Sequence, residues 1–157
     1  MNEFRPIRTN KLIIYPELSY KLMGVLFKVH NKLGPTYQEK YYQRAIRREL
    51  EKQEIPFEKE KLVKLTYEAE KIGNYFLDFV IGGKIVLELK AVPFIRKEWI
   101  HQLVAYLVST DLPLGIIANF RTPKLTYKRI VNPNIDRIRV WRRFVQIRLT
   151  LVQIRIL

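Results

Sequence analysis

Apolar residues recur every three or four positions over 17–33, where Leu18, Leu22, Val25, Leu26, Val29 and Leu33 line one face of a predicted helix. Gly34-Pro35 ends it. A second helix is predicted over 37–53, with Tyr41, Tyr42, Ala45, Ile46 and Leu50 turned inward and a Lys/Arg/Glu face outward, stopping at Ile55-Pro56. Three strand-like runs follow at 57–67, 72–81 and 84–91, and Gly82-Gly83 marks a hairpin turn between the last two. A third helix at 98–110 packs through Ile100, Leu103, Val104 and Leu107, and Pro113 marks its exit. The apolar run 114–120 has the character of a strand buried on both faces, and 125–131 adds an edge strand. The order α, α, β, β, β, α, β, β predicts an α/β fold, a mixed sheet with an antiparallel meander flanked by helices.

The last segment, 132–157, differs in kind. Its charged residues are six Arg and Asp136, and Val145-Gln146-Ile147-Arg148 is repeated seven positions later as Val152-Gln153-Ile154-Arg155. Alternation of apolar and polar residues over 145–151 predicts a strand. The organisation expected is one domain over 1–131, opening with a short basic segment, followed by an Arg-rich, strand-forming extension over 132–157.

Composition sharpens this picture. With 157 residues, 48% of them hydrophobic, the chain is long enough to bury one core, and without cysteine it has no disulfide framework, thiolate metal site or cysteine nucleophile. No signal-peptide core and no apolar run of membrane-spanning length is present, so a cytoplasmic protein outside the membrane is expected. The formal net charge of +14 favours a polyanionic partner, nucleic acid or an anionic surface.

Chemistry enters at three positions. Asp78 interrupts the core-like run Tyr75-Phe76-Leu77-Asp78-Phe79-Val80, and Glu88 and Lys90 interrupt Ile85-Val86-Leu87-Glu88-Leu89-Lys90-Ala91. Glu88 and Lys90, two apart on a strand, share a face. Asp78 joins that face only if the turn contains an odd number of residues or the strand carries a bulge; a two-residue turn pairing Ile81 with Lys84 would put the carboxylates on opposite sides. Two carboxylates beside an ammonium suit Mg²⁺, which takes one or two carboxylates and completes its shell with water and phosphate oxygens. The plainer alternative is a same-face ion pair of Glu88 and Lys90 with Asp78 ending a strand.

The spacing Asp78, then Glu88-Leu89-Lys90, then Gln102-Leu103-Val104-Ala105-Tyr106 on a helix resembles the PD-(D/E)-x-K nuclease superfamily, with the Gln-xxx-Tyr signature of its RecB-like branch. Leu12-Ile13, Tyr15 to Tyr20, Val29-His30, Leu33-Gly34-Pro35, Glu39-xx-Tyr42 and Leu114 to Phe120 are similar to the GxxExxxY family within it, although Thr36 stands where that family has a second Gly. The resemblance spans about 12–131 and implies a restriction-endonuclease-like core. It also implies that Asp78, Glu88 and the Leu89 carbonyl are ligands for Mg²⁺ (or Mn²⁺), that Lys90 positions water, and that Gln102 contacts the site or the substrate backbone. Gln102 and Tyr106, four apart, share a helix face. Glu39 is a further metal-ligand candidate; its alternative role is an acid in a helix's first turn. His30, Tyr42 and Tyr106 are accessory candidates, with a core-edge role the plainer one for His30.

The function expected is Mg²⁺-dependent hydrolysis of DNA phosphodiester bonds by metal-activated water. Arg96, Lys97, Lys128 and Arg129 are candidate phosphate contacts, since positive side chains supply affinity without reading bases. The alternative is a catalytically vestigial module of the same fold that binds nucleic acid or a protein partner. A basic membrane-surface protein ranks last, because the cations of 132–157 are not gathered on one helical face.

Overall fold

The computed structural model of the protein describes residues 14–136. The strand expected at 145–151, the repeat and the basic N-terminal segment lie outside them. Helices α1 (Pro16–Leu33) and α2 (Glu39–Lys52) precede a three-strand meander, β1 (Phe57–Tyr67), β2 (Glu70–Ile81) and β3 (Ile85–Lys90). Helix α3 (Lys97–Thr110) then crosses to β4 (Leu114–Asn119), and β5 (Thr126–Val131) closes the order. The strands lie side by side in sequence order, antiparallel except for the β3–β4 pair, which the α3 crossover makes parallel.

Each helix starts and stops for local reasons. Pro16 occupies the first turn of α1, where a missing N–H is harmless, and Gly34 (φ +72°) ends it with its amide donating to the His30 carbonyl at 2.8 Å. Leu22, Val25, Leu26 and Val29 of α1 and Tyr42, Ile46 and Leu50 of α2 pack on one side of the sheet against Phe79, Ile81, Ile85, Leu87, Leu89, Ile116 and Phe120. Leu103, Tyr106 and Leu107 of α3 cover the other side with Val80, Val86 and Ile117. β3 and β4, covered on both faces, are therefore buried almost throughout. Tyr41, expected inward, is instead 41% exposed: its ring lies beside the Lys40 and Arg44 cations while its neighbour Tyr42 takes the core position.

Two details of the meander decide where the interrupting charges stand. Gly82 and Gly83, both at positive φ, form the turn, and the Lys84 amide closes it on the Ile81 carbonyl. Because Ile81 pairs with Ile85, Lys84 is an extra residue and the loop numbers three, the odd count that brings Asp78 across from Glu88 when the register is continued.

The second detail is a slip in alternation. Leu77 and Val80 pack toward α3, whereas Phe79 packs toward α1 and α2, so the side-chain faces exchange at Asp78. On β1 the matching residue, Glu60, has φ +53°, and the paired register steps from Lys59↔Phe79 to Lys61↔Leu77 past it. Asp78 is thereby freed from the ladder at the rim of the sheet.

Candidate active site

The hydrogen-bonded register of β2 with β3 ends at Phe79↔Leu87. Beyond it the Asp78 carboxylate substitutes for backbone, its Oδ2 accepting from the Leu89 amide at 2.8 Å. Its other oxygen, Oδ1, accepts from Gln43 Nε2 on α2 at 3.3 Å, and the same Gln43 amide reaches Glu39 Oε1 at 3.4 Å. Glu39 opens α2, so the helix delivers its first carboxylate and, one turn later, the amide that links it to Asp78.

Glu88 projects from β3 toward α3 and is 5% exposed. The Tyr75 hydroxyl lies 3.4 Å from its Oε2, and Lys90 Nζ lies 3.9 Å from the same oxygen. Among the described residues its buried Oε1 has no hydrogen-bond partner. Burial, reinforced by the neighbouring Asp78 charge, pushes the Glu88 carboxyl up to about 8. Asp78 is raised by burial against the opposing pull of the Leu89 amide and Lys90, and Glu39 is raised by burial, with Lys90 opposing and Asp78 reinforcing. Three acids thus share a desolvated corner with one ammonium.

Lys90 Nζ sits 5.5 Å from the Trp99 ring centroid, and Arg96 lies 5.4 Å from the same ring. Tyr75 and Tyr106 stack with centroids 3.6 Å apart, clamping α3 to β2, and Gln102 hydrogen-bonds Tyr106. Tyr75, Glu88, Lys90, Trp99, Gln102 and Tyr106 line one small cleft.

Asp78, Glu88, Lys90 and Glu39 therefore come together, with Gln102 and Tyr106 on the wall beside them and Arg96 and Lys97 at the start of α3. Other candidates lie elsewhere. Lys128 and Arg129 belong to β5, on the far side of β4 from β3, and Arg129 donates to Ser19 Oγ of α1 at 3.3 Å. His30 is buried with Nε2 2.9 Å from the Thr122 carbonyl oxygen, the core-edge role. The Tyr42 hydroxyl donates to the Gly34 carbonyl at 2.5 Å and accepts from the Tyr37 amide at 3.1 Å, which holds the α1–α2 connection. Gln43, Tyr75 and Trp99 escape a reading by motif. Gln43 leaves no trace in sequence beyond being one turn after Glu39, whereas Tyr75 carries a signal in hindsight, since it stands three residues before an interrupting Asp.

A model of the PD-(D/E)XK nuclease superfamily matches residues 16–130, most of the chain. The chain belongs to this superfamily. The superfamily assignment and the mixed five-stranded sheet flanked by helices agree on a restriction-endonuclease-like fold. No curated protein and no solved structure matches the chain significantly. Superfamily membership suggests a nuclease acting on nucleic acid, and such enzymes typically use divalent metals.

The donor set of this superfamily member fits a hard divalent cation. Among the described residues no group of three or more His, Cys, Asp or Glu side chains is placed to hold a metal ion by itself, so Glu39, Asp78 and Glu88 do not make a preformed three-acid site. Mg²⁺ does not require one, because one or two carboxylates suffice when water and phosphate fill the rest of its shell. The Glu88 Oε1 is the observation that bears on this: among the described residues nothing hydrogen-bonds this buried oxygen, and leaving it so is costly unless a proton or a cation answers it. Among the described residues no helix is long and apolar enough to cross a membrane.

Proposed function

We propose that this protein is a cytoplasmic deoxyribonuclease that depends on Mg²⁺ or Mn²⁺, and that it belongs to the GxxExxxY group of the RecB-like branch. The observation that carries this reading is the buried Glu88 carboxyl, whose Oε1 has no partner among the described residues, set across from Asp78 and beside Lys90. Asp78, Glu88 and the Leu89 carbonyl would hold the cation, with Glu39 as a further carboxylate on the α2 side. The bound cation supplies positive charge against the scissile phosphate and lowers the pKa of a water.

The chain's own residues do the rest. Lys90, with its ammonium against the Trp99 ring, orients the attacking water and offsets negative charge that develops on the phosphate. Gln43 fixes Glu39 and Asp78 relative to one another. Gln102, exposed above the cleft, holds the substrate backbone, and Arg96 and Lys97 receive flanking phosphates. Nuclease chemistry accordingly resides in 1–131, and the Arg-rich extension in 132–157 adds affinity for the polyanion.

Incubation with supercoiled and linear DNA tests this. Cleavage in Mg²⁺ or Mn²⁺, stopped by EDTA and reduced roughly 100-fold or more in Asp78→Asn and Lys90→Ala proteins that unfold normally, is the expected result. DNA binding with no cleavage in either cation would overturn it and leave a binding module of the same fold.

A further inference from the structure

Residues 91–96 connect β3, which carries Glu88 and Lys90, to α3, which carries Trp99 and Gln102. This loop is clamped. Asn119, the register partner of Lys90 and fully buried, takes both backbone groups of Val92 with one side chain: its Nδ2 donates to the Val92 carbonyl at 2.8 Å and its Oδ1 accepts from the Val92 amide at 3.1 Å. The Phe120 amide adds a bond to the Lys90 carbonyl at 2.8 Å. Pro93 then restricts the backbone immediately before Phe94.

Phe94 is nonetheless 66% exposed and joins neither core cluster. A single exposed apolar residue is ordinary. This one stands on a loop fixed by a buried amide, four residues from Lys90 and two from Arg96, whose guanidinium lies against Trp99. A flat apolar ring exposed on a loop flanked in sequence by Lys90, Arg96 and Lys97 matches the chemistry of a nucleobase attached to phosphates: the ring takes the π-face and the cations take the backbone. Holding the loop in advance lowers the ordering cost of binding.

We propose that Phe94 is a base-stacking residue that receives an unpaired nucleobase of DNA next to the candidate active site. A paired and stacked base cannot offer its face to the ring, so the site selects single strands, frayed ends or flaps over intact duplex. This rests on the DNA-directed function proposed for the chain but does not require hydrolysis, and its test keeps the two apart.

Binding is measured in EDTA, where no cation-dependent cleavage occurs, to three probes: an oligothymidylate, a tract of the same length made of abasic residues, and a blunt duplex. The unsubstituted protein is expected to prefer oligothymidylate over the abasic tract by roughly 5- to 100-fold, the range of one stacked base. Phe94→Ala is expected to erase that preference, leave affinity for the abasic tract and the duplex unchanged, and unfold like the parent. Phe94→Trp is expected to restore it. Tyr20→Ala, an exposed ring at the start of α1, is expected to change nothing. Equal loss on all three probes, or a retained base preference in Phe94→Ala, would overturn the stacking assignment. Cleavage assays in Mg²⁺ run in parallel: a base preference lost in Phe94→Ala without any cleavage by the parent would keep the stacking site and refute the nuclease reading. Cleavage without a base preference would do the reverse.

Discussion

Replacing Glu88 by Gln keeps the shape of the side chain while removing its charge and its proton equilibrium. In the unfolded chain this carboxyl titrates near 4.5, and in the fold burial and Asp78 move it to about 8. Between those values the folded protein holds a proton that the unfolded chain has lost. Stability of the cation-free protein therefore falls as pH rises through this window and levels off above about 8. The loss accrues at about 1.4 kcal/mol per pH unit and reaches roughly 3 kcal/mol at neutral pH. Glu88→Gln has no such proton to lose, so its stability carries no slope from this position. Urea unfolding in EDTA at acidic, neutral and mildly alkaline pH is the assay. The variant should match the parent near pH 4.5 and exceed it increasingly up to about pH 8. Mg²⁺ should stabilise the parent, most at alkaline pH, and leave the variant unmoved, while DNA cleavage is lost. A variant less stable than the parent at neutral pH, or a difference that does not change with pH, would refute the account of Glu88 as a strained, cation-seeking acid.

Three further substitutions probe the frame around the site. A Cβ at Gly115 would fall 2.7 Å from Leu103 Cδ2, so Gly115→Ala should push α3 off β4 and cost about 1–3 kcal/mol in chemical denaturation, with a fall in cleavage because Gln102 moves with the helix. Asn132 is buried with its Nδ2 donating to the Leu107 and Leu112 carbonyls, and Asn132→Ala should lower stability by about 2 kcal/mol in the same assay. Gln43→Ala removes the amide shared by Glu39 and Asp78, and the Mg²⁺ concentration giving half-maximal cleavage should rise roughly 10-fold or more while the unfolding midpoint shifts little.

The frame was legible where burial imposes periodicity. α1 shows its stripe because one side faces the sheet and the other water, and β4 is continuously apolar because helices cover both its faces. The three charges that interrupt core strands were legible for the same reason, since a carboxylate inside an apolar run has no packing purpose. Gln43 was not legible, because a glutamine on a helix that also carries Lys40, Arg44 and Arg47 looks like one more solvated residue until α2 is docked. Tyr41 and Tyr42 are adjacent and chemically identical. Only the docked angle of α2 decides that Tyr42 stacks on Phe120, with centroids 4.6 Å apart, while Tyr41 stays outside. The slip at Asp78 was equally hidden, since it depends on the left-handed backbone of Glu60 on the facing strand.

Surface turns are ordinarily where a protein accepts added or deleted residues most readily. The Gly82-Gly83-Lys84 turn is bound by a stricter rule, although it contains no site residue. Losing or gaining one residue there, with β2 and β4 held in place, would turn Glu88 and Lys90 to the α1–α2 side of the sheet and send Leu87 and Leu89 toward α3. The length of this loop therefore behaves like a coding unit of its own. Single-residue insertions should disarm the site and break two cores at once, and natural variation in the turn is expected to proceed in steps of two.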